Sequence, residues 1–146
     1  MSKIIIGCDP DSKAHGVAIY EDGKLAGLES MPLMAIHLLF ARWSLDGISI
    51  SDIQVNIEDV CANNAVFRAG GNAKVNMSIA RRLGMVQQSQ VELERLFEYY
   101  KIKIVKHKIS KMWKKDKAQF ERVTGWTGRS TEDTRSAAYF GFLGLK

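Results

Sequence analysis

Lys3-Ile4-Ile5-Ile6-Gly7-Cys8-Asp9-Pro10-Asp11, with Gly16-Val17-Ala18-Ile19-Tyr20 and Lys24-Leu25-Ala26-Gly27-Leu28-Glu29 after it, decides the fold. The first run is β-branched and ends at Pro10, which has no N–H to continue a ladder. The second and third runs are joined through Glu21-Asp22-Gly23, and an Asp-Gly pair between apolar runs is a strong hairpin signal. Three consecutive strands therefore form an antiparallel meander.

Downstream of the meander the period changes. Apolar residues at helical spacing run from Met34 through Leu38 and Leu39 to Trp43, with Pro32 near the start. Ile53 to Ile57 reads as a fourth strand that closes on Glu58-Asp59. The polar, glycine-bearing stretch Asn63 to Asn72 leads into a long helix, whose positions Val75, Ile79, Val86, Leu93, Leu96 and Tyr100 share a face. Ile102 to Val105 is a short fifth strand. Helices follow near Lys114 to Val123 and Thr131 to Leu143, separated by Gly125-Trp126-Thr127-Gly128. The order β-β-β-α-β-α-β-α-α implies an α/β fold, a five-stranded mixed sheet of three antiparallel and two parallel strands with helices on its faces. Residues 1–146 are expected to form one domain, long enough to bury a core.

Composition narrows the function. Between positions 101 and 117 stand eight lysines and one acid, a net +7, while the rest of the chain is −2 and the whole +5. A surface that follows phosphates has this concentration of charge, and so does a merely solvated lysine face. Cys8 and Cys61 lie in apolar stretches without metal-ligand spacing and read as two small buried thiols of a reducing compartment. No apolar run is long enough to span a bilayer, and Met1 to Asp11 lacks the layout of a signal peptide. A cytoplasmic protein with no membrane partner is expected.

Acids at strand ends locate the chemistry. Asp9 closes the first strand and Glu58 the fourth. If those strands are parallel neighbours, about 4.8 Å apart, both carboxylates leave the sheet at the same edge. Open α/β sheets use that edge for ligands. Two carboxylates held together repel unless a cation lies between them, and hard oxygen donors select Mg²⁺ or Mn²⁺ over zinc. Asp133 heads the last helix in Ser130-Thr131-Glu132-Asp133, where Ser-x-x-Asp is equally a capping box. The small residues Ser136, Ala137 and Gly141 on that helix would let it lie close to the sheet edge, bringing Asp133 to Asp9 and Glu58.

Ile5-Ile6-Gly7-Cys8-Asp9-Pro10-Asp11-Ser12 with Gly16-Val17-Ala18-Ile19 resembles the opening signature of RuvC-type Holliday junction resolvases, of the RNase H-like nuclease superfamily. The resemblance extends to Val55-Asn56-Ile57-Glu58, to Ile79-Ala80-Arg81-Arg82-Leu83-Gly84 and to Lys117-Ala118-Gln119, and is compatible with a phage-type member. It implies an RNase H-like fold and a homodimer that cuts four-way or other branched DNA, in a bacterial cell or a phage-infected host. It also implies two Mg²⁺ ions, replaceable by Mn²⁺, on Asp9, Glu58 and Asp133, with Lys117 stabilising charge at the scissile phosphate. The family ends on two acids one helical turn apart, but here Asp133-Thr134-Arg135-Ser136-Ala137 puts Ser136 in place of the second. Glu132 or Asp11 is available as a replacement ligand. The family's aromatic three residues after the strand-end Glu is Cys61 here, leaving Phe67, beside Arg68, either to stack on a base or to join the core. Phe67, Arg68, Lys111, Lys114, Lys115 and Lys117 are the expected DNA contacts. His107 is a further phosphate candidate, Trp113 a stacking or packing residue, and Met77 and Met85 packing residues.

Two other functional classes fit parts of the sequence. A non-catalytic module binding branched DNA would need the lysines but not the acids, and Ser136 favours it. An actin-like sugar kinase needs two domains of this kind, more than 146 residues supply.

Overall fold

A computed structural model of the protein describes residues 3–62 and 72–146. Strand β1 (Ile4–Asp9) lies at the centre of a five-stranded sheet of order β3-β2-β1-β4-β5. On one side β2 (His15–Glu21) and β3 (Lys24–Met31) pair antiparallel, and on the other β4 (Ile53–Glu58) and β5 (Lys103–His107) run parallel to β1. The mixed sheet is the one expected. The β2–β3 turn places Asp22 at φ 50° and Gly23 at φ 85°, both left-handed as a two-residue hairpin turn requires.

The strand-to-strand alternation sorts side chains between two layers. Ile4, Ile6 and Cys8 of β1, with Ile53, Val55 and Ile57 of β4, face α1 (Leu33–Leu45) and α2 (Ala73–Tyr99). Phe40 and Phe97 meet edge-on there, ring centroids 5.6 Å apart. Ile5 instead packs with Ala18, Tyr20, Trp113, Phe120, Ala137 and Ala138 on the opposite face. That layer is made by α3 (Lys117–Thr124) and α4 (Glu132–Gly144). Covered on both sides, β1 has no polar residue before Asp9, as a central strand requires.

The contact between α4 and β1 is backbone against backbone. A Cβ at Gly7 would overlap the carbonyl of Ala137, and one at Gly16 the carbonyl of Asp133. The Tyr20 hydroxyl donates to the Ala138 carbonyl at 2.6 Å and pins the helix over β2. The small-residue face of α4 thus does what its composition implies.

Several expectations change. The helix expected from Lys114 begins only at Lys117, because Trp113 takes a left-handed φ of 67° and makes residues 112–115 a turn. Trp113 itself is 3 % exposed and packs on Phe120, Tyr139 and Phe142, so its role is packing. Cys8 is buried but Cys61 is exposed. At about 1.5 Å per residue α2 is roughly 40 Å long, about twice the length of a six-residue strand. Only Gln90, Leu93 and Phe97, all in its second half, are buried. Met77 and Met85 are exposed rather than packed, and Val75, Ile79, Leu83 and Val86 line an open apolar groove.

Candidate active site at the sheet edge

The register puts the two strand-end acids side by side. Cys8 pairs with Ile57, so the next residues along, Asp9 and Glu58, leave the parallel pair β1/β4 together. Both belong to the alternation that faces α4. They are 6 % and 5 % exposed, and each keeps one buried oxygen, Asp9 Oδ2 and Glu58 Oε2, without a hydrogen-bond partner. Burial raises the Glu58 pKa to about 8, with the Asp9 charge adding to it and Lys114 opposing. Burial likewise raises Asp9, against the pull of Lys114 and of the nearby Ser136 hydroxyl. Two carboxyls this poorly solvated and this close resist ionising together unless positive charge joins them.

The positive charge within reach is Lys114. Its Nζ lies 3.6 Å from Asp9 Oδ2, and its side chain is only 29 % exposed. Burial works against its ammonium form, but Asp9, Glu58 and Asp133 together outweigh that and raise its pKa. The lysine is held by its backbone. Arg135 on α4 donates from Nη2 to the Lys114 carbonyl at 2.6 Å and from Nε to the Trp113 carbonyl at 3.0 Å. Its third bond, from Nη1 to Ser130 Oγ at 3.0 Å, ties the same cation to the start of α4.

That third bond explains how α4 is capped. The N-cap is Thr131, not Ser130, and the reciprocal partner is Thr134. Asp133 therefore lies outside the capping box. Half-buried on the first turn of α4, it acts on Asp9, Glu58 and Lys114 through its charge. Ser136, one residue beyond Arg135, is fully buried, and its Oγ has no hydrogen-bond partner of good geometry. Among the described residues no three Asp, Glu, His or Cys side chains converge as a ready-made metal cage.

The other expected site residues are more dispersed. Glu132 is exposed and paired with Lys115, Nζ to Oε1 2.5 Å. Asp11 accepts the Ser12 N–H at 2.6 Å, and its own N–H donates to His15 Nδ1 at 3.1 Å. Lys111 and Lys117 are exposed, Lys117 opening α3 behind its Asp116 cap. Phe67 and Arg68 lie outside the described residues. His107 ends β5 beside Glu58, but its Nε2 is spent on Asn56 Oδ1 at 2.8 Å. Nor does the lysine-rich stretch form one surface. Lys101 and Lys103 flank a polar hollow at the opposite edge of the sheet, with Lys3 and Asp52, and Lys106 pairs with Glu94 at 3.0 Å.

Arg135 was not singled out from the sequence, although an arginine between Asp133 and Ser136 on a helix face that packs on the sheet is an unusual choice needing carbonyl partners. A fully buried Gln90 was also missed. It receives the Cys61 N–H at 2.9 Å and donates to Asp59 at 3.0 Å, holding the chain just beyond Glu58.

No protein-family model and no curated protein matches this chain. Among solved structures, it superposes on Thermus thermophilus RuvC in complex with a Holliday junction substrate at a TM-score of 0.60 and 11 % identity, over 95 % of this chain and 90 % of that one. The fold is RNase H-like, with the same mixed sheet and flanking helices.

Proposed function

We propose that this chain is a divalent-cation-dependent endonuclease that resolves four-way or other branched DNA junctions. The observation that carries the reading is the Asp9–Glu58 pair: adjacent, buried, each with an oxygen that accepts no hydrogen bond, at the sheet edge where such folds act. The fold shared with a junction-bound resolvase supports the substrate class.

Asp9 and Glu58 fit a hard cation, Mg²⁺ or Mn²⁺, because their donors are oxygens and their charge is otherwise ill-compensated. Asp133 would approach from α4 as the third carboxylate. A cation so held supplies activation of a water and neutralisation of phosphate charge. The protein's own part is positional. α4, seated against Gly7 and Gly16, fixes the distance from Asp133 to the strand acids. Lys114, rather than the exposed Lys117, is the lysine we assign to the phosphate at the site, since it already stands beside Asp9. Lys111, Lys115 and Lys117 would track the DNA arms, and Phe67 and Arg68 would contact the branch point. Hydrolysis adds one water across one P–O bond, so the ends produced are a phosphate and a hydroxyl.

A homodimer suits a junction, which presents two symmetry-related strands. The apolar groove on the first half of α2, open among the described residues, supports that assignment. The second reading, a branched-DNA-binding module without catalysis, draws on Ser136 in place of an acid and on the Lys114–Asp9 ion pair. Incubating the protein with a four-way junction, a flap, a linear duplex and an RNA–DNA hybrid, with and without Mg²⁺, separates the two. Cation-dependent cutting of the branched substrates is expected. Tight junction binding with no cutting in either Mg²⁺ or Mn²⁺ would establish the module instead.

A further inference from the structure

We infer that Lys114 takes the place of a second metal ion, so that this site works with one divalent cation and one ammonium group. The inference rests on the nuclease reading and specifies how its charge is balanced.

Three observations converge on Lys114. Its ammonium group is 3.6 Å from Asp9 Oδ2 and within the influence of Glu58 and Asp133, so all three site acids act on it. It is not a wandering surface lysine. Trp113, buried in a left-handed turn among aromatic rings, and Arg135, gripping the Trp113 and Lys114 carbonyls, fix where its side chain starts. Finally, the helix position one turn after Asp133 carries Ser136, buried and uncharged, at the same face.

The charges then close. Asp9, Glu58 and Asp133 bring −3. One divalent cation with Lys114 brings +3 and leaves the buried site neutral. Two divalent cations with Lys114 would leave it at +2, a cost that a site this poorly solvated does not meet readily. An acid at position 136 would bring the site to −4 and, without the lysine, match two divalent ions. Glu132 is left out of this count, being exposed and paired with Lys115 at the surface.

The test counts ions without reference to cleavage. Mn²⁺ is titrated into the purified full-length chain, and the bound fraction is read from the loss of the free-ion paramagnetic resonance signal. Asp9→Asn/Glu58→Gln protein is the blank for adventitious sites. One ion per chain above the blank is expected for the wild type. Lys114→Met frees Asp9 and should tighten that ion at least tenfold. Lys114→Met/Ser136→Asp should hold two. Two ions on the wild type would overturn the inference while leaving the nuclease reading in place, and so would unchanged or weaker binding in Lys114→Met. If the double variant does not fold, the single variant and the wild-type count still decide. No ion above the blank would remove the metal-dependent reading itself, and this inference with it.

Discussion

Strand β1 has two faces that follow opposite rules. Toward α1 and α2 it offers Ile4, Ile6 and Cys8, two large aliphatic groups and a buried thiol that fill space. Toward α4 it offers Ile5, Gly7 and Asp9: one core residue, one absence of a side chain, and one buried carboxylate. The first face holds the sheet to its helices by area removed from water. The second gives up area so that a helix backbone can lie directly on the strand and place Asp133 near Asp9. On the proposed function, alternate residues of one six-residue strand would serve stability and chemistry separately, and substitutions should separate them as well.

The largest contrast is between Asp9 and Ile6. Asp9→Asn should lower Mg²⁺-dependent cleavage by at least a thousandfold while the metal-free fold becomes no less stable, because a poorly compensated buried charge is removed. Ile6→Ala should cost about 2–5 kcal/mol of stability through the cavity it leaves, yet retain cleavage where the variant is still folded. Parallel denaturation curves and cleavage rates check both; a stability loss in Asp9→Asn without a rate loss would invert the assignment of the two faces.

Acidity offers a second contrast. A carboxyl whose folded pKa lies above its unfolded value favours folding most below about 4.5, and that contribution is lost as pH rises through about 8. Metal-free protein should therefore be less stable at pH 9 than at pH 6 by on the order of 2 kcal/mol, from Glu58 alone. Asp9, shifted in the same direction, adds to the trend. Glu58→Gln should flatten the profile, and saturating Mg²⁺ should largely erase it. Urea midpoints at the two pH values, with and without the ion, supply the measurement.

The glycines give a smaller effect. Gly7→Ala forces a methyl group against the Ala137 carbonyl and should destabilise by about 1–3 kcal/mol, with cleavage impaired even at low temperature as the end of α4 bearing Asp133 shifts along the strand. Gly27→Ala, whose added carbon would meet only Ile19 at 3.5 Å, should change stability by less than about 1 kcal/mol in either direction. Equal effects at the two positions would mean that the α4–β1 approach has no special standing.

The smallest expected effect concerns salt. Lys111 and Lys117 stand exposed toward the site end of the lysine-rich stretch, whereas Lys101 and Lys103 flank the far edge. Replacing Lys111 and Lys117 by Gln should flatten the plot of log affinity against log salt by roughly 0.9 per lost phosphate contact. The same change at Lys101 and Lys103 should leave the slope unaltered. A flattening from the far pair would place the DNA along β5 instead of across its end.

Much of this architecture is legible in the residues. The β-branched run that stops at Asp9-Pro10, the Asp22-Gly23 turn and the strand ending in Glu58 each carry a local signal that tertiary packing only reinforces. The register of β1 against β4, which makes neighbours of Asp9 and Glu58, follows from their apolar alternation. What is not legible depends on competition between equals. Ser130 and Thr131 are both good caps, and the choice falls to Thr131 while Arg135 holds Ser130. Lys114 and Lys117 have the same local chemistry, and the one that stands beside Asp9 is placed there after a tryptophan in a backbone conformation for which its sequence carries no marker. Periodicity in α2 shows an apolar face but not what covers it, whether core or a second copy, and among the described residues nothing buries its first half.

The seating of α4 also sets the order in which the molecule can loosen. The Ala137 carbonyl lies directly over Gly7 and the Ala138 carbonyl accepts from Tyr20 Oη at the middle of the sheet, so the helix bearing Asp133 cannot lift away without breaking the centre of the fold. Its amides should exchange with solvent only through global opening. The turn that carries Lys114 is fastened to this helix through Arg135, at one level removed, and its amides should open earlier. Acid and base of the site would thereby sit on different clocks. The carboxylates are held by the centre of the sheet, and the ammonium group beside them by one arginine and the tryptophan before it.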